Sequence, residues 1–485
     1  MLHEYQNCDA MSIASSSSKK ESKADSQRLR AVVDRVIDDV RPSKSEIDGV
    51  IAISNNIAAR IKKLMPKDTE LVIVGSMARG TQVKGSYDVD MFLLYPRNFD
   101  EKLMERMTLD IAKKIIDKNK GESFTIKYAQ HPYARINVGG VDADIVPAYK
   151  INSILEKGTA VDRTPLHNEF ILSHLSARQK DEVRVLKAFL KAQGIYGAEV
   201  SIEGFSGYLC ELLIHTYGSF EALLKAVVTA RLPWVLDPKE SARIEPQSET
   251  ASKLVKKFLK EIVVIDPTDS NRNVAAALSI ESFSRFVLAA KKLLATPSIE
   301  VFYGKGYSDA YAKNKLERIA KSLDCDVYTM AFGLADIAAD IKWQQLKRLN
   351  RSIQALMKKN GFAPIIALQD MEGDHGILSY FMNRHYNGSR TVEGPSVFLK
   401  GAAELFCKVH SKSYMYLDAE RVMAIEKPEY KDAMELLKGI NRSKEISKLS
   451  HIRVREAKFF SSTSMPEDYA RLVYRSFVKK TSLRV

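Results

Sequence analysis

Gly75-Ser76-Met77-Ala78-Arg79-Gly80-Thr81, followed by Gly85-Ser86-Tyr87-Asp88-Val89-Asp90-Met91-Phe92-Leu93-Leu94, is the stretch whose reading decides the fold. Just upstream, Glu70-Leu71-Val72-Ile73-Val74 is a short β-branched run. It predicts a buried strand turning at Gly75-Ser76 into a helix start, where free backbone N–H groups favour an anion. Tyr87 to Tyr95 reads as a second strand. Side chains alternate along a strand, so Asp88 and Asp90 project from one face while Val89 turns to the core. Two carboxylates so close repel each other unless a cation lies between them, and hard oxygen ligands of this kind suit Mg²⁺ completed by substrate phosphates. Ser76 and Arg79 are then suited to hold a triphosphate. A later acidic strand, Val141-Asp142-Ala143-Asp144-Ile145-Val146-Pro147, can complete the ligand set for two metals. Asp142 and Asp144 face the same way, and spacing does not choose between them.

Around this centre the pattern is mixed. From Ser26 the residues Leu29, Val32, Val33, Val36, Ile37 and Val40 share a helical face that Pro42 closes, and Ser43-Lys44-Ser45-Glu46 reads as a capping box opening a second helix. Lys102 to Lys118 has helical spacing, and Ile136 to Tyr149 predicts a third and fourth strand. Arg178 to Ala295 reads as almost wholly helical, with Thr296-Pro297 as the next boundary. Beyond it, strand-like runs at Val327 to Phe332, Pro364 to Leu368, Ile377 to Met382 and Val422 to Ile425 interleave with helices such as Leu346 to Lys358. The expected class is α+β and multidomain. The opening stretch, with Ser15-Ser16-Ser17-Ser18-Lys19-Lys20, has too little apolar content to order itself, and Met11 before it is an alternative start.

The 485 residues allow about three or four domains. Seventy-four Lys and Arg against 60 Asp and Glu give a net charge of +14, comfortable beside a polyanion. Cys8, Cys210, Cys325 and Cys407 show no CxxC spacing, which argues against a zinc ribbon or a disulfide framework and fits a reducing cytoplasm. No apolar run reaches the roughly 18 residues of a membrane helix, so no membrane partner is expected.

The motif GSxxRGT…GSxDxD with a later DIVP strand resembles the nucleotidyltransferase superfamily of DNA polymerase β and poly(A) polymerases. The resemblance is closer to the archaeal-type (class I) CCA-adding enzymes. It extends through His131-Pro132-Tyr133, Val161-Asp162-Arg163-Thr164-Pro165-Leu166-His167, the run from Val183 to Lys191, and Gly194-Ile195-Tyr196-Gly197. It continues in Gly204 to Leu213 and in Ile265-Asp266-Pro267-Thr268-Asp269 with Asn271-Arg272-Asn273. It covers about Ser26 to Phe302; the serine-rich start and the stretch after Phe302 depart from it.

The resemblance implies a four-part plan. After an extension at 1–25 come a polymerase β-like nucleotidyltransferase head at 26–172 and a helical neck at 173–296. An α+β body at 297–364 and 434–485 would hold the tRNA acceptor arm, and a tail at 365–433 the tRNA elbow. The implied activity is addition of C, C and A to the tRNA 3′ end from CTP and ATP without a nucleic-acid template. The resemblance assigns Asp88, Asp90 and Asp144 to two Mg²⁺ ions, with Asp142 as understudy. Ser76, Arg79, Thr164, His167, Lys187 and Tyr196 fall around the triphosphate. Arg272 falls on the Watson–Crick edge of the incoming base, and His131 near the ribose or primer end. Within His451 to Val485, eight Lys or Arg face three acidic residues. There Arg471, Tyr474, Arg475, Phe477 and Lys479 are candidates to line a phosphate groove, the alternative being a helix whose apolar face packs on the body. A homodimer is left open. Two other readings are a poly(A) polymerase-like terminal transferase, which should ignore CTP, and a non-catalytic RNA-binding protein, against which the intact aspartates argue.

Overall fold

The computed structural model describes residues 26–128, 131–151, 156, 161–304, 308–383, 389–427, 429–440, 451–453 and 456–481. The serine-rich start lies outside them. The described chain forms two compact units, one ending at Gly304 and the other following it.

In the first unit a helix over residues 26–40 (α1) precedes α2 (Lys44–Lys62). The capping box forms as expected: Ser43 Oγ accepts from Glu46 N at 3.2 Å, and Glu46 accepts in return from Ser43 N at 2.7 Å. Such a cap is worth about 1 kcal/mol. Then follow β1 (Glu70–Val74), α3 (Gly75–Arg79), β2 (Val89–Tyr95), α4 (Glu101–Lys114), β3 (Ser123–Tyr128), β4 (Pro132–Val138) and β5 (Val141–Tyr149). The strands build a five-stranded sheet in the order β1-β2-β5-β4-β3. Only the central β2–β5 pair is parallel. Val50, Ile57 and Ile61 of α2 and Met104 and Ile111 of α4 share one core with Val89, Met91, Leu93, Ala143 and Ile145. Alternation along β2 and β5 sends those residues to the helices and leaves Asp90 and Asp144 on the opposite face. Two expectations shift: β2 begins at Val89, so Asp88 stands just ahead of the strand, and β3 is an extra strand.

The chain continues through α5 (Thr164–His174), α6 (Ala177–Ala192), α7 (Gly207–Tyr217), α8 (Phe220–Val228), β6 (Trp234–Asp237), β7 (Ala242–Ile244), α9 (Glu249–Phe258), β8 (Ile262–Asp266), β9 (Asp269–Asn273) and α10 (Ile280–Ala295). The expectation of an almost wholly helical stretch here needs correction. Residues 234–273 contain a four-stranded sheet in the order β7-β6-β8-β9. Its strands are only 3–5 residues long, too short to show a period of two, and the apolar run Ile262–Ile265 reads equally well as buried helix. Leu29, Val33, Val36, Ile37 and Val40 of α1 are buried with Val183, Leu186, Leu190, Leu212 and Phe286 of this helical core, and not under the first sheet.

The second unit contains α11 (Asp309–Ser322), β10 (Cys325–Gly333), α12 (Ala339–Lys359), β11 (Pro364–Glu372), β12 (His375–Asn383), β13 (Arg390–Ser396), α13 (Ala402–Val409), β14 (Tyr414–Asp418), β15 (Arg421–Glu426), α14 (Ala433–Gly439), β16 (Lys458–Ser461) and α15 (Glu467–Thr481). An antiparallel sheet, β11-β12-β10-β16, carries Leu346, Leu349 and Ile353 of α12 in one core and Leu316 of α11 with Leu472 of α15 in another. A three-stranded sheet, β13-β15-β14, lies between them in sequence.

The groove expectation at the C-terminal helix is corrected by this packing. Tyr474 is buried, and the Phe477 ring stacks on Phe381 at 5.1 Å. Arg471 pairs with Glu372 and Asp309 at 2.6 and 2.8 Å, and Arg475 with Asp370 at 2.9 Å. Arg475 and Lys479 stay exposed, but Arg475 spends its guanidinium on that ion pair. No described helix is long and apolar enough to cross a membrane.

Candidate active site

The strand β1 ends where Gly75 opens α3, and the site is built around that turn. Gly75 has φ +81°, which only glycine adopts without strain, and a Cβ there would lie 1.9 Å from Asp90 Oδ2. The Asp90 carboxylate therefore rests against bare backbone. Across the parallel pair Asp90 is in register with Asp144. Asp142 instead faces Asn137, whose Nδ2 donates to it at 2.6 Å. Register thus sets Asp144, and not Asp142, opposite Asp90.

Burial, with the nearby charge of Asp144 and then Asp88, pushes the Asp90 carboxyl up to about 6, while Arg79 and Arg135 pull against the shift. A carboxylate held between like charges is a place where a divalent cation is stabilising, and the hard oxygen set fits one. Arg135, which sequence reading missed, donates to both oxygens of Asp144, each at 2.7 Å. Four lone-pair positions on a carboxylate leave room for a cation beside that fork.

Next to the aspartates is a buried polar knot joining the sheet to the helices. Arg79 pairs with Glu211 of α7 at 2.9 Å, and Thr81 Oγ1 donates to the same carboxylate at 2.5 Å. Lys187 Nζ donates to Thr81 O at 2.9 Å and stands 3.9 Å from Glu211. Glu211 is fully buried and Arg79 and Lys187 nearly so. Desolvation lowers the Lys187 ammonium, opposed chiefly by Glu211. Arg184 on the same helix donates to Gly80 O at 2.6 Å and Gln82 O at 2.8 Å, pinning the loop behind Arg79. Gly207 keeps this knot open. A Cβ there would lie 3.3 Å from Tyr196 Oη and 3.8 Å from Lys187 Nζ, so these two groups face one gap. Burial raises the Tyr196 phenol far above its ordinary value, keeping it a hydrogen-bond donor.

A third cluster forms on α5 and β8. Pro165 sits in the first turn of α5, and Thr164 and His167, one turn apart, share its face. His167 is buried, stacks on Tyr208 at 4.3 Å and bonds through Nε2 to Asp266 Oδ2 at 2.9 Å. Arg272 donates to the same Asp266 oxygen at 2.7 Å, with its guanidinium 6.0 Å from the Tyr208 ring centre. Burial lowers the imidazole of His167, favouring the neutral ring.

Arg79 links all three groups, since its charge acts on Asp90, His167 and Tyr196. Asp88, Asp90, Asp144, Arg79, His167, Lys187, Tyr196 and Arg272 are thus brought into one region. Ser76 in α3 and Thr164 in α5 lie on helices that pack together. His131 is set apart: it is buried against α4, with Nδ1 2.9 Å from Glu105 and 3.5 Å from Glu101. Glu101, Glu105 and His131 bring three ligand-type atoms within 4.8 Å. From the same His-Pro-Tyr motif it is Tyr133 whose phenol feels Asp144 and Asp90. Sequence reading quotes Glu211 and Asp266 within motif blocks but gives neither a role; their signal is a carboxylate at a position that burial otherwise forbids.

Comparison with known proteins matches three family models in order: a nucleotidyltransferase domain over residues 54–167, the second domain of tRNA nucleotidyltransferase over 181–303, and the C-terminal domain of CCA-adding enzyme over 325–459. A CCA-adding enzyme of Methanocaldococcus jannaschii is 36% identical over 85% of this chain and 90% of its own length. One from Saccharolobus shibatae is 34% identical over 69% of this chain and 74% of its own. One from Methanosarcina acetivorans is 33% identical over 68% and 70%. Among solved structures, a cytoplasmic RNA terminal U-transferase gives a TM-score of 0.44 at 16% identity, covering 58% of this chain and all of that one.

Proposed function

The chain belongs to the CCA-adding enzymes, a family of tRNA nucleotidyltransferases, and on that premise we propose how its own residues carry the addition of C, C and A to a tRNA 3′ end from CTP and ATP. Asp88, Asp90 and Asp144 hold two divalent ions, Mg²⁺ in the cell. When bound, such ions lower the pKa of the attacking 3′-hydroxyl and neutralise the leaving pyrophosphate. The chain's part is positional. Gly75 lets Asp90 lie close under the turn, and Arg135 fixes the orientation of Asp144. Ser76, Arg79, Thr164, His167, Lys187 and Tyr196 supply hydroxyl, cation and ring donors to the triphosphate. Arg272 meets the incoming base, and His131 supports the ribose or primer side through its neighbour Tyr133. The register of Asp90 with Asp144, beside a glycine that admits no side chain, is the observation that carries this reading.

Residues 26–172 form the catalytic head and 173–296 the neck that contacts nucleotide. The body for the acceptor arm extends past residue 364, because β11 and β12 share one sheet with β10 and β16, and the tail for the tRNA elbow is the three-stranded sheet β13-β15-β14 with α13. The +14 charge and the C-terminal family match support tRNA as the partner. The test is incubation with a tRNA transcript lacking its CCA, Mg²⁺ and each labelled nucleotide alone and together. Addition of C-C-A and then arrest is expected. Continuous A addition without CTP use would replace the reading with a poly(A) polymerase-like one.

A further inference from the structure

Asp266 is the most heavily bonded carboxylate near the site. Its Oδ2 accepts from His167 Nε2 at 2.9 Å and Arg272 Nη1 at 2.7 Å. Its Oδ1 accepts from Tyr208 Oη at 3.2 Å, Thr268 N at 2.9 Å and Thr268 Oγ1 at 2.8 Å. Five donors on a buried side chain keep it ionised. None of these bonds is needed to close the β8–β9 hairpin except those from Thr268. The other three come from α5, α7 and β9 and converge on one anion.

The consequence falls on Arg272. Its guanidinium is tethered by one nitrogen, lies over the Tyr208 ring, and remains about one-third exposed. The remaining N–H groups belong to a fork that can only donate. His167 spends its one N–H on Asp266, so its tautomer is set and its ring is held flat on Tyr208. A rigid group that only donates distinguishes bases by one atom. Cytosine and adenine each present an unprotonated ring nitrogen beside an exocyclic amine. Uracil and guanine present an N–H there, which meets another donor and leaves both unpaired.

We propose that Asp266 is a specificity-determining positioning residue: by tethering Arg272 and fixing His167 on Tyr208, it holds a donor-only edge that admits C and A and rejects U and G. This inference rests on the proposed nucleotidyl transfer at this site. A free arginine could swing aside and let a water or a backbone group serve the wrong base. A tethered one cannot do so without giving up its charge-assisted bond to the buried Asp266 carboxylate.

The test measures kcat/KM for CTP and for UTP on a tRNA transcript lacking its CCA, and for ATP and GTP on one ending in C-C. It uses the full chain and the variants Asp266→Asn, Arg272→Lys and the double variant, with a melting curve for each. In Asp266→Asn the C-over-U and A-over-G ratios should fall roughly 10- to 100-fold, the worth of one well-formed contact to a base edge. Arg272→Lys, altered at a partly exposed position, should relax the ratios likewise, and the double variant should be no worse than the more relaxed single one. Folded Asp266→Asn protein whose activities fall equally on right and wrong nucleotides would overturn the proposal, leaving Asp266 a purely structural residue. If Asp266→Asn fails to fold, unchanged ratios in Arg272→Lys overturn it instead. Failure of the unaltered protein to add C at all would remove the transfer reading itself, and the inference with it.

Discussion

Replacing Gly75 by alanine tests how the metal-side geometry is made. The new Cβ would sit 1.9 Å from Asp90 Oδ2, where contacts under 3.0 Å do not persist, so the carboxylate or the turn must yield by about 1.1 Å. The φ of +81° adds a backbone cost of about 1–2 kcal/mol for any L residue. A shift of about 1 Å in a group that positions reacting atoms costs on the order of 100-fold in rate. Rapid-quench single turnovers of CTP onto tRNA lacking CCA, at saturating Mg²⁺, should therefore slow by about two orders of magnitude. Urea unfolding should show only the 1–2 kcal/mol backbone cost, with tRNA affinity unchanged. A variant that turns over within about threefold of the parent, a difference under 1 kcal/mol, would refute the argument that Asp90 must lie against bare backbone.

Glu211→Gln removes the counter-charge from buried Arg79 and Lys187. Unfolding free energy should drop by about 3–5 kcal/mol in urea titrations. Arg471→Ala and Arg475→Ala should leave tRNA affinity unchanged in filter binding and cost about 1 kcal/mol or less each, because both side chains serve Asp370 and Glu372. In the second unit, hydrogen bonds from His410 and then Arg390 hold the Glu426 carboxyl down to about 2. A depressed carboxyl stabilises above its unfolded value near 4.5 and loses that contribution as pH falls toward 2. Acid titration of Glu426→Gln should thus give a flatter stability curve than the parent across that window, with the two curves meeting at its acid end. EDTA should stop nucleotide addition and added Mg²⁺ restore it, seen as labelled tRNA on a gel.

The legible parts were those with local causes. The capping box at Ser43, the turn at Gly75, the β2 and β5 strands and the order of motif blocks follow from residues near one another in sequence. Spacing could place Asp142 and Asp144 on one face but not choose between them, because the choice is a register across β2 and β5, strands some 50 residues apart. Glu211 and Asp266 were hidden for a similar reason. Glu211 stands in an apolar run and Asp266 at the end of one, and only the fold reveals the cations from other elements that satisfy them. The sheet in residues 234–273 escaped because strands of 3–5 residues carry too few alternations to outweigh helical flanks. At the C-terminal helix, a count of basic residues suggested a groove, whereas packing ties two arginines to acids of the neighbouring strand.

The central claim is that one set of carboxylates serves every addition. It is tested most directly by running the half-reactions separately, CTP onto tRNA lacking CCA and ATP onto tRNA ending in C-C, with the parent, Asp90→Asn and Asp144→Asn. Both variants should lose both half-reactions together by several orders of magnitude while still binding tRNA. A variant that kept A addition while losing C addition, or the reverse, would contradict a single shared site.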